Sequence, residues 1–325
     1  AFFNVYYRPS SSMKWSWETT YQADDRRENR IRRMNHSDIP SVSLRLQSLQ
    51  SQLHGSRLFN RWKAEWGVQG MLMKNSNERG TGVVPVIPNY TETTFGTYAI
   101  AKYLGDIWGT EAGVRYDNQL TRADGYDRYG GNRHFENVTF TLGGHQHLGN
   151  LLTLATNFGM AWRAPHVYEL YSNGNELSSG TFVKGDSTLR SEQSYKWVTS
   201  LCYHDSWIHA RIDAYLQWIN HYIYDYPTRQ NVVVVSGAYP VFQYVQTNAL
   251  FRGVDVDVHL YLLQTLDYRV YGSWIWANEQ RTKAYLPYIP SFKFTQQLTW
   301  TPAFRGAWQP SMGIEHRYVA KQRRF

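Results

Sequence analysis

The sequence holds a single cysteine among 325 residues, Cys202, which excludes an intrachain disulfide framework and any cysteine-rich metal site. Charge is scarce too. Asp, Glu, Lys and Arg make up 18% of the chain, against about 25% in ordinary soluble domains. No run approaches the roughly 18 consecutive apolar residues that a spanning helix needs, so a helical membrane protein is excluded. The opening residues, AFFNVYYRPS, carry none of the basic start, apolar stretch or small-residue cleavage site of a secretory signal. A Gly-x-Ser-x-Gly elbow is missing, and no Ser-His-Asp triad can be fixed without geometry, so an enzyme is not expected.

Aromatic residues are what the chain has in excess, at 16%, with 25 Tyr, 14 Phe and 13 Trp. That richness excludes intrinsic disorder. Low charge with many aromatics suits a barrel whose strands are apolar on one face only. The net charge of +8 favours anionic partners but falls short of a nucleic-acid signature, and no nucleic-acid partner is expected.

Alternation with a period of two recurs along the chain and supports that class. Ile208, Ala210, Ile212, Ala214, Leu216 and Trp218 alternate with His209, Arg211, Asp213, Tyr215 and Gln217. Successive strand side chains point to opposite faces, so one face is apolar and the other polar. The same pattern runs through Leu152–Trp162, Tyr195–Tyr203 and Val254–Leu260, and from Trp15 to Tyr21. The strands read as about 10 to 13 residues long, more than the 5 or 6 of a sandwich strand and close to the 9 to 11 of a tilted membrane strand. Short connections fall near 8–12, 54–57, 105–107, 148–150, 204–206, 264–267 and 302–306. Long ones fall near 25–40, 75–91, 120–135, 163–191, 226–240 and 280–290. Strict alternation of short turns and long loops predicts an all-β, antiparallel transmembrane barrel of about 14 strands. Phe325 supplies the terminal aromatic of such a barrel, but Arg323, Lys321 and Val319 before it do not form an apolar last-strand face, so a truncated barrel is expected.

The longest loop and its flanks, residues 157–197, read NFGMAWRAPHVYELYSNGNELSSGTFVKGDSTLRSEQSYKW. This block resembles the TonB-dependent outer-membrane receptors, which import ferric siderophores, haem, cobalamin or metal ions. The aromatic-Arg-Ala-Pro box of that family matches Trp162, Arg163, Ala164 and Pro165. Its Glu-Leu-Tyr run matches Glu169–Leu170–Tyr171, and its second box matches Gly185, Leu189 and Glu192. Tyr244–Ala249 followed by Gly253–Val254–Asp255 adds a further match. The resemblance implies a 22-stranded barrel filled by an N-terminal plug, with residues 1–325 forming part of the barrel and the plug and some strands missing. It also implies a bacterial outer-membrane location, contact with lipid and lipopolysaccharide, and energy from the TonB–ExbB–ExbD complex acting through the plug. No resident cofactor is implied, because haem or a ferric siderophore would be cargo. A passive porin would show the alternation but not the 157–192 block.

Cargo candidates follow from the subgroups of the family. Haem receptors place a ligand histidine between the two boxes, where His166 is the only histidine here, and neutral imidazole suits iron or zinc. Zinc-type receptors often carry Gly-x-His after the Glu-Leu-Tyr run, whereas this chain has Gly174-Asn175-Glu176. Glutamate can ligate zinc, so zinc or another metal, or cobalamin, is the alternative cargo. Ferric siderophores are held by aromatic and basic side chains. Arg26, Arg27, Arg30, Arg32 and Arg33 in one loop, and Tyr168, Tyr171, Tyr222, Tyr224 and Tyr226 around others, supply both. The substrate-binding expectation therefore comprises Arg163, His166, Tyr168, Glu169, Tyr171 and Glu176, with His166 the one candidate metal ligand. His145 and His147 share a strand face at a short turn, and lumen-facing His209, Arg211, Asp213 and Asp255, Asp257, His259 are expected to form ion-pair ladders against the plug.

Overall fold

The computed structural model describes residues 1–29, 39–78, 80–81, 84–126, 129–176, 179–234, 237–303, 306 and 308–324. Fourteen strands pair in one antiparallel path, each with its neighbour in sequence. The first eight are β1 (Phe2–Ser10), β2 (Met13–Glu28), β3 (Val42–Phe59), β4 (Trp62–Asn77), β5 (Tyr90–Leu104), β6 (Trp108–Tyr126), β7 (Tyr129–Leu148) and β8 (Leu152–Arg163). A short helix, α1 (Val167–Tyr171), and two short strands, β9 (Asn173–Glu176) and β10 (Thr181–Lys184), interrupt the path. It resumes with β11 (Glu192–His204), β12 (Ile208–Val234), β13 (Gly237–Leu263), β14 (Leu266–Glu279), β15 (Lys293–Trp300) and β16 (Met312–Val319).

The expected faces are present. Leu154, Phe158, Trp197, Leu201, Ile212, Leu216 and Val254 are exposed on the apolar face, which a bilayer rather than a protein core would cover. On the other face charges pair within the wall: Lys63 with Glu65 at 2.7 Å, Arg115 with Asp117 at 2.6 Å, Arg211 with Asp213 at 2.8 Å and Arg269 with Asp257 at 2.5 Å. Close to the short turns the apolar face carries touching aromatic rings, Trp62 on Tyr103 at 5.2 Å and Tyr103 on Trp108 at 4.5 Å. Such a band is the interfacial girdle of an outer-membrane barrel.

Three expectations need correction. The turn expected at 54–57 lies at Asn60 and Arg61, because β3 stays in register with β4 from Leu44↔Asn77 to Phe59↔Trp62. Gly55 is there for space, not for turning: a Cβ on it would stand 2.6 Å from Trp66 Cε2. Asn60 takes the left-handed conformation, φ 52°, which asparagine tolerates. The described residues of 120–135 and 226–240 are strand extensions and not loops. β6 and β7 pair out to Tyr126↔Tyr129, and β12 and β13 out to Val234↔Gly237, where Val232–Val234 supply β-branched side chains. Along the fourteen-strand path, lengths accordingly run from 8 to 27 residues rather than 10 to 13. Phe325 lies outside the described residues.

Candidate functional site

The long 163–192 connection is folded, and its order starts from local sequence. Pro165 ends β8 by fixing its own φ and holding Ala164 extended. His166 then caps α1: its Nδ1 accepts from the Tyr168 amide at 3.1 Å, while the Glu169 carboxylate accepts from the His166 amide at 2.8 Å. This reciprocal capping box sustains a helix of five residues. Val167, Leu170 and Tyr171 are buried beneath it together with Leu189, Tyr90, Phe135 and Ile223. Tyr90, Phe135 and Ile223 come from β5, β7 and β12, so the loop packs across several strands of the sheet. Each fully buried Leu or Val contributes roughly 1.5–3 kcal/mol.

The return leg is held by close backbone contact. β9 and β10 form a small hairpin, and β10 runs parallel beside β13, Phe182 facing Val241. The Gly185 amide donates to Ser172 O at 2.7 Å, and a Cβ on Gly185 would stand 2.6 Å from the Leu170 carbonyl carbon, so only glycine fits. Asp186 Oδ1 accepts from the Thr188 amide at 2.8 Å. Arg133 donates to Leu189 O at 2.7 Å and also to Ser187 O. Gln246 clasps Arg190, accepting from its amide at 2.8 Å and donating to its carbonyl at 2.6 Å.

Arg163 ties the two legs together. Its guanidinium reaches Glu169 at 2.6 Å and Glu192 at 2.9 Å, and the second Glu192 oxygen accepts from the Ile223 amide at 2.5 Å. Beside this knot lies an open recess of about 450 Å³, lined by Glu92, Asp117, Gln119, Trp162, Arg163 and His166 among others. Crowding by the loop lowers the pKa of the His166 ring, Arg163 adding to the effect and Glu169 opposing it. The neutral ring accepts at Nδ1, so its proton sits on Nε2, which is then a donor. Tyr168 donates to Glu176 at 3.0 Å and stands edge-on to Tyr244 at 5.9 Å. Burial, reinforced by Glu176, pushes the Tyr168 hydroxyl up. Tyr222, Tyr224 and Tyr226 continue the aromatic surface along β12, with successive ring separations of 6.0 and 6.4 Å.

A family model described as TonB dependent receptor-like, beta-barrel, matches residues 2–325. The chain belongs to the TonB-dependent receptor β-barrel family. Its members are outer-membrane receptors that transport rather than catalyse. A comparison with curated proteins returned no match. Among solved structures, this receptor barrel is similar to the copper transporter OprC, with TM-score 0.75 and 14% identity over 96% of this chain and 49% of that one. It is also similar to the haemophore receptor HasR of Serratia marcescens, solved as a double mutant with its haemophore HasA and haem, with TM-score 0.72 and 16% identity over 98% and 57%. A third similar structure is the FrpB iron transporter of Neisseria meningitidis, with TM-score 0.68 and 14% identity over 98% and 51%. These likenesses concern the fold, and the chain spans about half the length of the structures it matches.

Within the receptor barrel the expected site residues fall into two groups. Trp162, Arg163, Ala164, Pro165, Glu169, Tyr171, Gly185, Leu189 and Glu192 hold the inward loop in place: Trp162 donates to Asp117 at 3.3 Å, Pro165, Tyr171 and Leu189 are buried, and the three charged residues form the knot. His166, Tyr168 and Glu176 keep polar atoms near the recess or the tyrosine surface. The arginine loop is only partly in view. Arg26 pairs with Glu28, and Arg27 with Glu78 at 3.7 Å, on the outer reach of β2, while Arg30, Arg32 and Arg33 lie outside the described residues. Sequence reasoning missed Asp117, Arg133 and Glu92, which sit far from the block in sequence and carry no local signal. Among the described residues no group of three or more His, Cys, Asp or Glu side chains could hold a metal ion.

Proposed function

We propose that this chain is part of the wall and of the cargo-binding rim of an active importer of a ferric complex, with a ferric siderophore favoured over haem. In this reading the plug and the remaining strands belong to parts of the receptor outside the chain. The TonB–ExbB–ExbD complex supplies energy through that plug, and lipid and lipopolysaccharide cover the apolar face. The observation that carries the preference is the pairing of a tyrosine surface with a capped His166. Tyr168, Tyr244, Tyr222, Tyr224 and Tyr226 present aromatic faces and hydroxyls, which suit a bulky chelate already saturated with its own ligands. His166 spends Nδ1 on the α1 cap, which leaves a proton, not a lone pair, on Nε2. Haem ligation would require that cap to be exchanged for a bond to iron, and a directly bound zinc ion would meet the same obstacle.

Growth of a strain lacking the full receptor, starved of iron and fed one source at a time, tests the reading. Loss of growth on one ferric siderophore with growth on haem retained is expected. Failure on haem alone would overturn the preference, and unchanged growth on both would overturn iron as the cargo and turn attention to zinc, copper or cobalamin. In the full receptor, Tyr168→Ala with Tyr244→Ala should weaken siderophore binding by roughly tenfold, since an aromatic contact is worth about 0.5–1.5 kcal/mol.

A further inference from the structure

Glu92 is a buried acid with no counter-charge. It stands near the long-loop end of β5, in register between Met73 of β4 and Thr121 of β6. Met73 packs against the cluster beneath α1, and Thr121 is fully buried. Glu92 itself is 8% exposed. Among the described residues its carboxyl has no ion-pair or hydrogen-bond partner, yet its oxygens are not sealed from solvent. What it faces is the recess beside the knot, which it lines together with Asp117, Gln119, Trp162, Arg163 and His166.

The other charges around the recess are already matched. Both Asp117 oxygens accept from Arg115 Nε at 2.8 Å, and Trp162 donates to Asp117 at 3.3 Å. Arg163 is held by Glu169 and Glu192. These two guanidinium groups face three carboxylates before Glu92 is counted, so no positive charge is left over for it. A carboxylate shielded from water is costly without a cation beside it, and an arriving cation would remove that cost. The rest of the wall suits a cation as well. Gln119 donates through Nε2 to Thr121 Oγ1 at 3.3 Å, which leaves its carbonyl oxygen as an acceptor. Trp162 contributes an indole ring, the aromatic group that attracts cations most strongly. An ammonium group carries three donors and no acceptor, so carboxyl and amide oxygens match it. At about 450 Å³ the recess is near the small end of ligand sites, which run from about 300 to 1,000 Å³, and it holds a side arm more readily than a whole chelate.

We propose that the Glu92 recess takes a primary ammonium group on a side arm of the cargo, so that the cargo is a ferric chelate with a positively charged appendage. The inference rests on the ferric-siderophore reading above and adds the charge that the recess selects. Glu92 and the Gln119 carbonyl receive the ammonium, Trp162 walls it, and the tyrosine surface is left for the body of the chelate. The recess adjoins Arg163 and His166, at the long-loop end by which cargo enters in that reading.

The test is calorimetric binding of two ferric chelates to the purified full receptor in detergent. One is ferrioxamine B, a ferric tris-hydroxamate with a free primary ammonium, and the other is its N-acetyl form, the same chelate without that charge. Ferrioxamine B is expected to bind more tightly by at least roughly tenfold, the scale of a hydrogen bond to a charged group. Glu92→Gln should bring ferrioxamine B down to the affinity of the acetylated form, and Glu92→Asp should keep part of the preference. Equal thermal unfolding of the variants would show that they fold. Equal binding of the two chelates by the unaltered receptor would overturn the inference and leave the ferric-chelate reading standing. Binding of neither would also overturn it, and growth on single iron sources would then decide the cargo separately. A preference that survives Glu92→Gln would overturn it as well, and lower thermal stability of that variant would then assign Glu92 to a cation of the plug.

Discussion

The two ends of the inner wall are finished in opposite ways. At the long-loop end, polypeptide folds back against the sheet and makes the packed cluster of Val167, Leu170, Tyr171 and Leu189. At the short-turn end the described residues of this chain form no such cluster, and the wall is polar, with ion pairs along the strands. A barrel strand has no protein core of its own, because its apolar face meets the bilayer. The folded loop is where this chain behaves like a globular protein, so substitutions there should act through packing. At the polar end they should act through charge.

The largest effect is expected from Leu170→Ala, since removing a buried leucine costs about 2–5 kcal/mol. Limited proteolysis of the full receptor should show the 163–192 segment cut faster while the strands resist, and unchanged cutting would mean that the cluster does not hold the loop. Next in size is the contrast of faces on β12. Ala214→Arg, on the apolar face, should destabilise the barrel by about 2–4 kcal/mol, whereas Gln217→Arg on the inner face should be tolerated. Equal losses in urea unfolding would break the face assignment. The smallest effect is His166→Asn. Asparagine is also a good cap, so loop stability at neutral pH should fall by about 1 kcal/mol or less, but its pH dependence should change. The folded-state pKa of His166 lies below the usual value of about 6.5, so the native loop binds its proton later than the unfolded chain does. Stability is therefore full above about 6.5 and falls as pH drops from there toward the folded value. The Asn variant should lose that slope, and proteolysis at stepped pH would register it.

The strand count and the two faces were legible in sequence because a period of two is a local signal repeated on every strand. Turn position was less so, because Gly55 looks like a turn residue when read along the chain, and its reason for being glycine, Trp66, lies on the next strand. The tips of β6–β7 and β12–β13 read as loops because beyond the apolar face the alternation stops while the hydrogen-bond ladder continues. At the site, the 157–197 block pointed to the segment that folds back against the sheet. That Arg163, Glu169 and Glu192 form one knot, while His166 serves as a cap, depends on three-dimensional contacts and on a ring nitrogen that residue identity does not reveal. Asp117, Arg133 and Glu92 were unreadable for the same reason.

The central claim is that the family's most recognisable stretch is a folded inner element and not an open loop. Hydrogen–deuterium exchange on the full receptor in detergent measures this most directly. The amides of Leu170, Ser172, Gly185 and Leu189, each bonded to a backbone carbonyl, should exchange as slowly as those of the neighbouring strands. Exchange of those four amides as fast as in an unstructured chain would contradict the account.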